Sequence, residues 1–242
     1  MVSELLLREI DGAIALITLN RPEQRNAISD ELREIMRSTL DSLSQEPEVR
    51  VVILTGAGSA FCAGGDVRSM QERLQAPAGD VAIAGWRRQQ KTFGLASALY
   101  HLDQITIAAV NGPAVGLGLD LALACDFIVQ APEAAYSASF VQRGLVPDGG
   151  GMFYLPRRIG LQKTKDLIYS GRRVDAPEAF AMGLADVFAG QDRLLEDAKS
   201  YAERFTGQSR ASLMLMKSIV NRSFELSLES VAALSSEAQA IA

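Results

Sequence analysis

The sequence predicts an α/β fold in which strands, glycine-rich loops and helices alternate, with a layer of helices over the last third. Three observations carry this. Short, wholly apolar runs such as RVVILTG and ITIAAVN read as buried strands. Each leads into a glycine-rich stretch, GAGSAFCAGGD after the first and GPAVGLG after the second, and then into a helical pattern. After Gly160 the apolar spacing turns helical.

Taken in order, LLLREI, DG and AIALITL give a hairpin turning at Asp11-Gly12. SDELREIMRSTLDSLSQE follows with Ser29 as a cap and Leu32, Ile35, Met36, Leu40 and Leu43 on one helical face. RVVILTG is a strand, VRSMQERLQ a helix, APAGD a surface loop and WRRQQKTFGLASALYHL an amphipathic helix. The pattern then repeats: strand ITIAAVN, helix LDLALAC, strand FIVQA. TKDLIYSG, APEAFAMG, RLLEDAKSYAERFTG and SRASLMLMKSIVNRSFE are all helical in spacing, and they predict a separate helical layer. Such alternation gathers the functional loops at one end of the strands.

A chain of 242 residues, 48% hydrophobic and 22% charged, can bury a large core. Its apolar runs are too short to span a bilayer, and acidic residues stand where a signal peptide would be basic, so a cytoplasmic protein without a membrane partner is expected. A net charge of −5 with scattered arginines argues against a nucleic-acid partner. Cys62, Cys125 and the single His101 lack the spacing of a zinc site, and His101 reads as a helix end. With no base beside it, Cys62 reads as a small hydrophobe lining a pocket. Small molecules remain as the expected ligands.

AFCAGGD and VNGPAVGLG share a physical property: their small residues let backbone N–H groups approach a ligand, and a helix start behind each adds its positive dipole end. That suits an oxygen atom gaining negative charge. Neither loop has the GxGxxG spacing of a dinucleotide site. In GLVPDGGG, a lone carboxylate, Asp148, stands between a proline and three glycines. It has two readings: a cap for the helix that MFYLPRRIG opens, or a carboxylate aimed into a pocket.

In this order, NRPEQRNAIS, VVILTGAGSAFCAGGDV, IAAVNGPAVGLGLDLALACDFIVQA, GLVPDGGG and LPRRIG resemble the crotonase superfamily, the enoyl-CoA hydratase/isomerase family, over almost the whole chain. The resemblance implies a ClpP-like spiral of strand-strand-helix repeats binding acyl-CoA over residues 1–190. It also implies a helical region over residues 191–242 that builds a homotrimer or a dimer of trimers. It implies a thioester carbonyl held by the backbone N–H groups of Gly65 and Leu117, the latter a glycine in many relatives. Arg25, Asn26 and Ala27 would lie along the CoA moiety, and Ala63, Gly64, Asp66, Val67 and Arg68 around its adenine and pantetheine. CoA is then part of the substrate, and neither a separate cofactor nor a metal is implied.

Hydratases of this family hold and deprotonate water with two glutamates. Here the first position carries Asp120 and the second Phe140, a ring that cannot act as acid or base and serves either as packing or as a substrate wall. Asp120, near a helix start, also has a purely structural reading. Asp148 stands where enoyl-CoA isomerases of the epoxyphenylacetyl-CoA isomerase type place their acting carboxylate. The resemblance therefore implies isomerisation of a 3-enoyl-CoA to a 2-enoyl-CoA, with Asp148 as proton shuttle. Dienoyl-CoA isomerisation using Asp120 and Asp148, hydration, and a non-catalytic acyl-CoA- or RNA-binding relative are the alternatives.

Overall fold

The computed structural model describes residues 4–66 and 77–242. Strands β1 (Leu6–Asp11) and β2 (Ile14–Leu19) form the hairpin, with Asp11 paired to Ile14. The turn is thus Gly12-Ala13, one residue later than expected, because the glycine has to take the first turn position at φ +56°. Helix α1 (Asp30–Ser44) starts as read: the Ser29 Oγ accepts the Leu32 N–H at 3.1 Å. Leu32, Met36, Leu40 and Leu43 are buried and Ile35 half-buried.

Strand β3 (Val51–Gly56) is buried throughout. Val52 and Leu54 join one core cluster while Val51 and Ile53 join another on the opposite face. A sheet covered on both faces explains the unbroken apolar run. The helix expected over 67–75 lies outside the described residues. Helix α2 (Ala78–Tyr100) starts directly behind Pro77, so the end of APAGD is helical rather than loop, with Asp80 against the positive end of the helix. His101 is its exposed C-cap.

Next come β4 (Ile105–Val110), β5 (Pro113–Val115) and α3 (Leu117–Ala124). The unit repeats as β6 (Phe127–Gln130), β7 (Ala135–Ser137), a 3-10 turn (Ser139–Arg143) and α4 (Gly151–Ile159). The first strand of each unit enters a large sheet, in the order β1-β2-β3-β4-β6-β9, which is parallel beyond the hairpin. The second strand enters a small sheet, in the order β5-β7-β8. A single parallel bridge from Cys62 to Ala114 carries the small sheet on to the loop behind β3. The chain therefore climbs in successive strand-strand-helix turns.

The last third holds α5 (Leu161–Ser170), α6 (Ala176–Ala181), α7 (Leu194–Thr206), α8 (Arg210–Val220) and α9 (Leu228–Ile241). It is not wholly helical. Strand β8 (Arg173–Asp175) closes the small sheet and β9 (Val187–Phe188) the large one. Strands this short cannot display a two-residue period, so their sequence gives no signal. Nor is the layer separate, since Ala198 and Ala202 of α7 are fully buried against Ile53, Ile107 and Val129, and Phe127 stacks on Phe205. Helix α9 buries no residue. Among the described residues no helix is long and apolar enough to cross a membrane.

A buried ion pair locks α8 to the sheet. Lys217 Nζ donates to Asp126 at 2.7 Å and to the Gln104 carbonyl at 2.8 Å, and Asp126 also accepts the Thr106 N–H at 2.7 Å. Removing one partner of such a pair strands the other, which costs about 3 to 5 kcal/mol. Lys217→Met is therefore expected to destabilise the fold by about 3 kcal/mol, read as a lower urea midpoint at an unchanged slope.

Candidate active site

The site is built from two loops locked together. Asn26, wholly buried at φ +58°, accepts the Arg21 N–H and donates to the carbonyls of Ala57 and Ala60 at 2.9 and 2.7 Å, which fixes the loop behind β3. That loop then pairs with the loop behind β4: the Cys62 N–H donates to Pro113 at 3.1 Å, and the Val115 N–H donates to Cys62 at 2.9 Å. Gly118 permits the closeness, since a Cβ there would stand 2.2 Å from the Cys62 carbonyl oxygen. At Gly64, φ is +98° and a Cβ would meet the Val115 oxygen at 2.8 Å. Only glycine fits either position.

Two backbone N–H groups emerge from this clasp. Gly65 forms a parallel bridge with Ile28, whose hydrogen bonds run to the Gly64 carbonyl at 2.8 Å and from the Asp66 N–H at 3.1 Å. Both bonds flank Gly65, so its own N–H points the other way and meets no acceptor among the described residues. The second donor is Leu117, the first residue of α3, where a helix offers its N–H no internal partner. Gly65 and Leu117 line the same cavity, of about 500 Å³. A more open hollow of about 710 Å³ between α1 and α2 is lined by charged groups such as Asp30, Glu34 and Lys91, with neither loop among them.

Asp148 lines the first cavity. It does not cap α4, whose N-cap is Gly150 with no side-chain bond, so the cap reading is corrected: three glycines in a row carry the chain into the helix. Half-buried, its carboxyl lies above its ordinary value because burial disfavours the charge, an effect opposed by its own backbone N–H and by Arg88. Phe140 lines the same cavity, with its Cζ 3.6 Å from where a Gly116 Cβ would stand. Ala63 and Gly64 complete the floor.

Asp120 is in another position. It is 1% exposed and does not line the cavity. Its Oδ2 accepts the Gly149 N–H at 3.0 Å, and burial together with the nearby Asp148 pushes its carboxyl up to about 8. Cys62 also sits beneath the cavity rather than in its lining, where its Sγ accepts the Gly64 N–H at 3.4 Å and burial pushes the thiol up to about 12. Arg25, Ala27 and Asp66 lie at the edge of the clasp and not in the cavity wall. Arg25 has φ +48° and gives its carbonyl to the Ala63 N–H at 2.9 Å, while Asp66 pairs with Arg21 at 3.1 Å. Val67 and Arg68 lie outside the described residues.

Helix α2 supplies a wall that the sequence did not disclose: Arg88, Gln89 and Thr92 line the cavity, as do Arg143 and Val146. An amphipathic spacing shows that a helix has a polar face, not what that face looks upon.

A sequence profile described as enoyl-CoA hydratase/isomerase matches residues 9–240. A probable enoyl-CoA hydratase of Rhizobium meliloti is 37% identical over 230 residues, covering 94% of this chain and 85% of the relative. A probable enoyl-CoA hydratase of Mycobacterium bovis, echA8, is 35% identical over 229 residues, with coverage of 94% and 85%. The crystal structure of a putative enoyl-CoA hydratase from Streptomyces coelicolor is similar with a TM-score of 0.91 at 30% identity, over 98% of this chain and 86% of that one. That of an enoyl-CoA hydratase from Bacillus anthracis gives 0.88 at 32%, over 97% and 89%. Sequence and fold agree with these relatives along nearly the whole chain: it has the crotonase fold and belongs to the enoyl-CoA hydratase/isomerase family.

Proposed function

We propose that the enzyme isomerises a 3-enoyl-CoA to a 2-enoyl-CoA, with Asp148 moving one proton between two carbons. The thioester carbonyl accepts from the Gly65 and Leu117 N–H groups, which are fixed in place before the substrate arrives. The C2–H bond breaks toward the Asp148 carboxylate. Its electron pair forms the C2–C3 double bond, the former C3–C4 pair takes the same proton at C4, and no net charge or atom is gained. The dienolate between these steps places its negative charge on the thioester oxygen, where each fixed donor contributes about 3 to 4 kcal/mol to the transition state. The carrying observation is that Asp148 shares one cavity with both donors and Phe140, while Asp120 is sealed off from it. Burial also strengthens Asp148 as a base.

The CoA portion would run past Ala63 and Gly64 to Arg25, Ala27 and Asp66, with Phe140 beside the acyl group. A second reading, hydration of a 2-enoyl-CoA, is favoured by the relatives, which are named as probable enoyl-CoA hydratases. The apolar ring at Phe140 speaks against it, for it cannot hold a water. Self-assembly, as a trimer or a dimer of trimers, is proposed from α9, which buries nothing of its own, and from exposed Phe224, Leu228 and Ile241.

Asp148→Asn is expected to lower isomerisation by at least about a hundredfold while CoA-ester affinity survives. The same variant should abolish deuterium entry at C2 of an acyl-CoA in heavy water, read by NMR; unchanged exchange would sink the proton-shuttle role. Gly65→Pro deletes one donor and is expected to abolish turnover in a protein whose circular dichroism is that of the wild type. Light scattering at micromolar concentration should give a trimer or hexamer, and a monomer would remove the assembly proposal.

A further inference from the structure

We propose that Asp120 is a positioning residue: it fixes the loop that carries Asp148 and neither gives nor takes a proton in the reaction. The inference rests on the reading of Asp148 as the acting carboxylate, and it separates this chain from a two-aspartate mechanism.

The geometry carries it. Asp120 lies in the first turns of α3, whose start supplies the Leu117 donor, and its own N–H is taken by the Gly116 carbonyl at 3.0 Å. The side chain reaches across to the residues just behind Asp148. Its Oδ2 accepts the Gly149 N–H at 3.0 Å. Its Oδ1 stands 2.3 Å from where a Cβ on Gly151 would be, and Oδ2 stands 2.7 Å from where one on Gly149 would be. The carboxyl thus fills the room those glycines leave, from a place where substrate does not reach. One side chain thereby sets the distance between the helix that donates to the thioester oxygen and the loop that presents the base.

Its protonation fits an anchor. Burial and the neighbouring Asp148 raise the Asp120 carboxyl to about 8, so it holds its proton at neutral pH and leaves Asp148 to ionise first. An amide is then a close substitute, because Asn keeps an acceptor for Gly149 and the same size.

The test compares Asp120→Asn, Asp120→Ala, Gly151→Ala and Asp148→Asn on a 3-enoyl-CoA that the wild type turns over, reading kcat and KM separately. Asp120→Asn should keep kcat within about fivefold. Asp120→Ala should lower kcat by about a hundredfold, the scale of a 1 Å misplacement of a reacting group, with KM near wild type. Gly151→Ala should lower kcat by pushing on Asp120, and should have no further effect once Asp120 is alanine. An Asp120→Asn protein that melts like the wild type but is as inactive as Asp148→Asn would make Asp120 an acid–base group and overturn the inference. Wild-type kcat in Asp120→Ala, or a change confined to KM, would overturn it as well. Should Asp120→Ala fail to fold, Asp120→Asn and Gly151→Ala decide together: kcat kept in the first and lost at unchanged KM in the second supports the anchor, and unchanged kcat in Gly151→Ala removes it. Full turnover in Asp148→Asn is a separate failure, that of the proton-shuttle reading.

Discussion

The rest of the site depends on the backbone clasp between the loops behind β3 and β4. Parallel pairing of these strands sets the two loops side by side at the same end of the sheet, and the Cys62–Ala114 bridge then fixes their register. Once Ile28 has taken both hydrogen bonds that flank Gly65, that residue's N–H has no place in the ladder, and the first N–H of α3 is likewise beyond the helix's own bonds. Two N–H groups left without a place in secondary structure belong to residues that line one cavity. Because both belong to the main chain, the side chain at Leu117 changes only the room beside its donor.

Burial distinguishes two carboxyls on neighbouring segments. Asp120 and Asp148 lie near enough for the charge of one to raise the other, yet one is sealed under the loop and the other faces a cavity with Arg88 nearby. The sealed group keeps its proton, since charging it would place a second negative charge in a low-dielectric interior. The open one ionises first. On the proposed reading, local environment rather than residue type would then assign their roles.

Much of this was legible in the chain. The apolar runs of β3 and β4 and the Ser29 cap show through period and composition, and the glycine-rich loops and PDGGG gave the cavity's donors and its carboxylate. What stayed hidden is contact at a distance. The bond from Gly149 to Asp120 spans 29 residues, and no spacing rule links a buried aspartate on one helix to glycines before another. The wall formed by Arg88, Gln89 and Thr92 was hidden for the same reason, and β8 and β9 because strands of three and two residues are held by their neighbours rather than by their own pattern.

On the proposed reading, Phe140 matters for what it does not offer. A carboxylate at that position could grip a water beside the double bond; the ring instead presents carbon next to Gly116 and removes an acceptor from the wall. On the proposed reading, a dienolate formed beside such a wall meets few proton sources other than the carboxyl that has just been protonated. Returning the proton to C4 from the same group then competes well with any reaction that needs solvent. On that reading the apolar ring and Asp148, the one carboxylate lining the cavity among the described residues, act together: proton transfer within the substrate is favoured over a reaction that needs a held water.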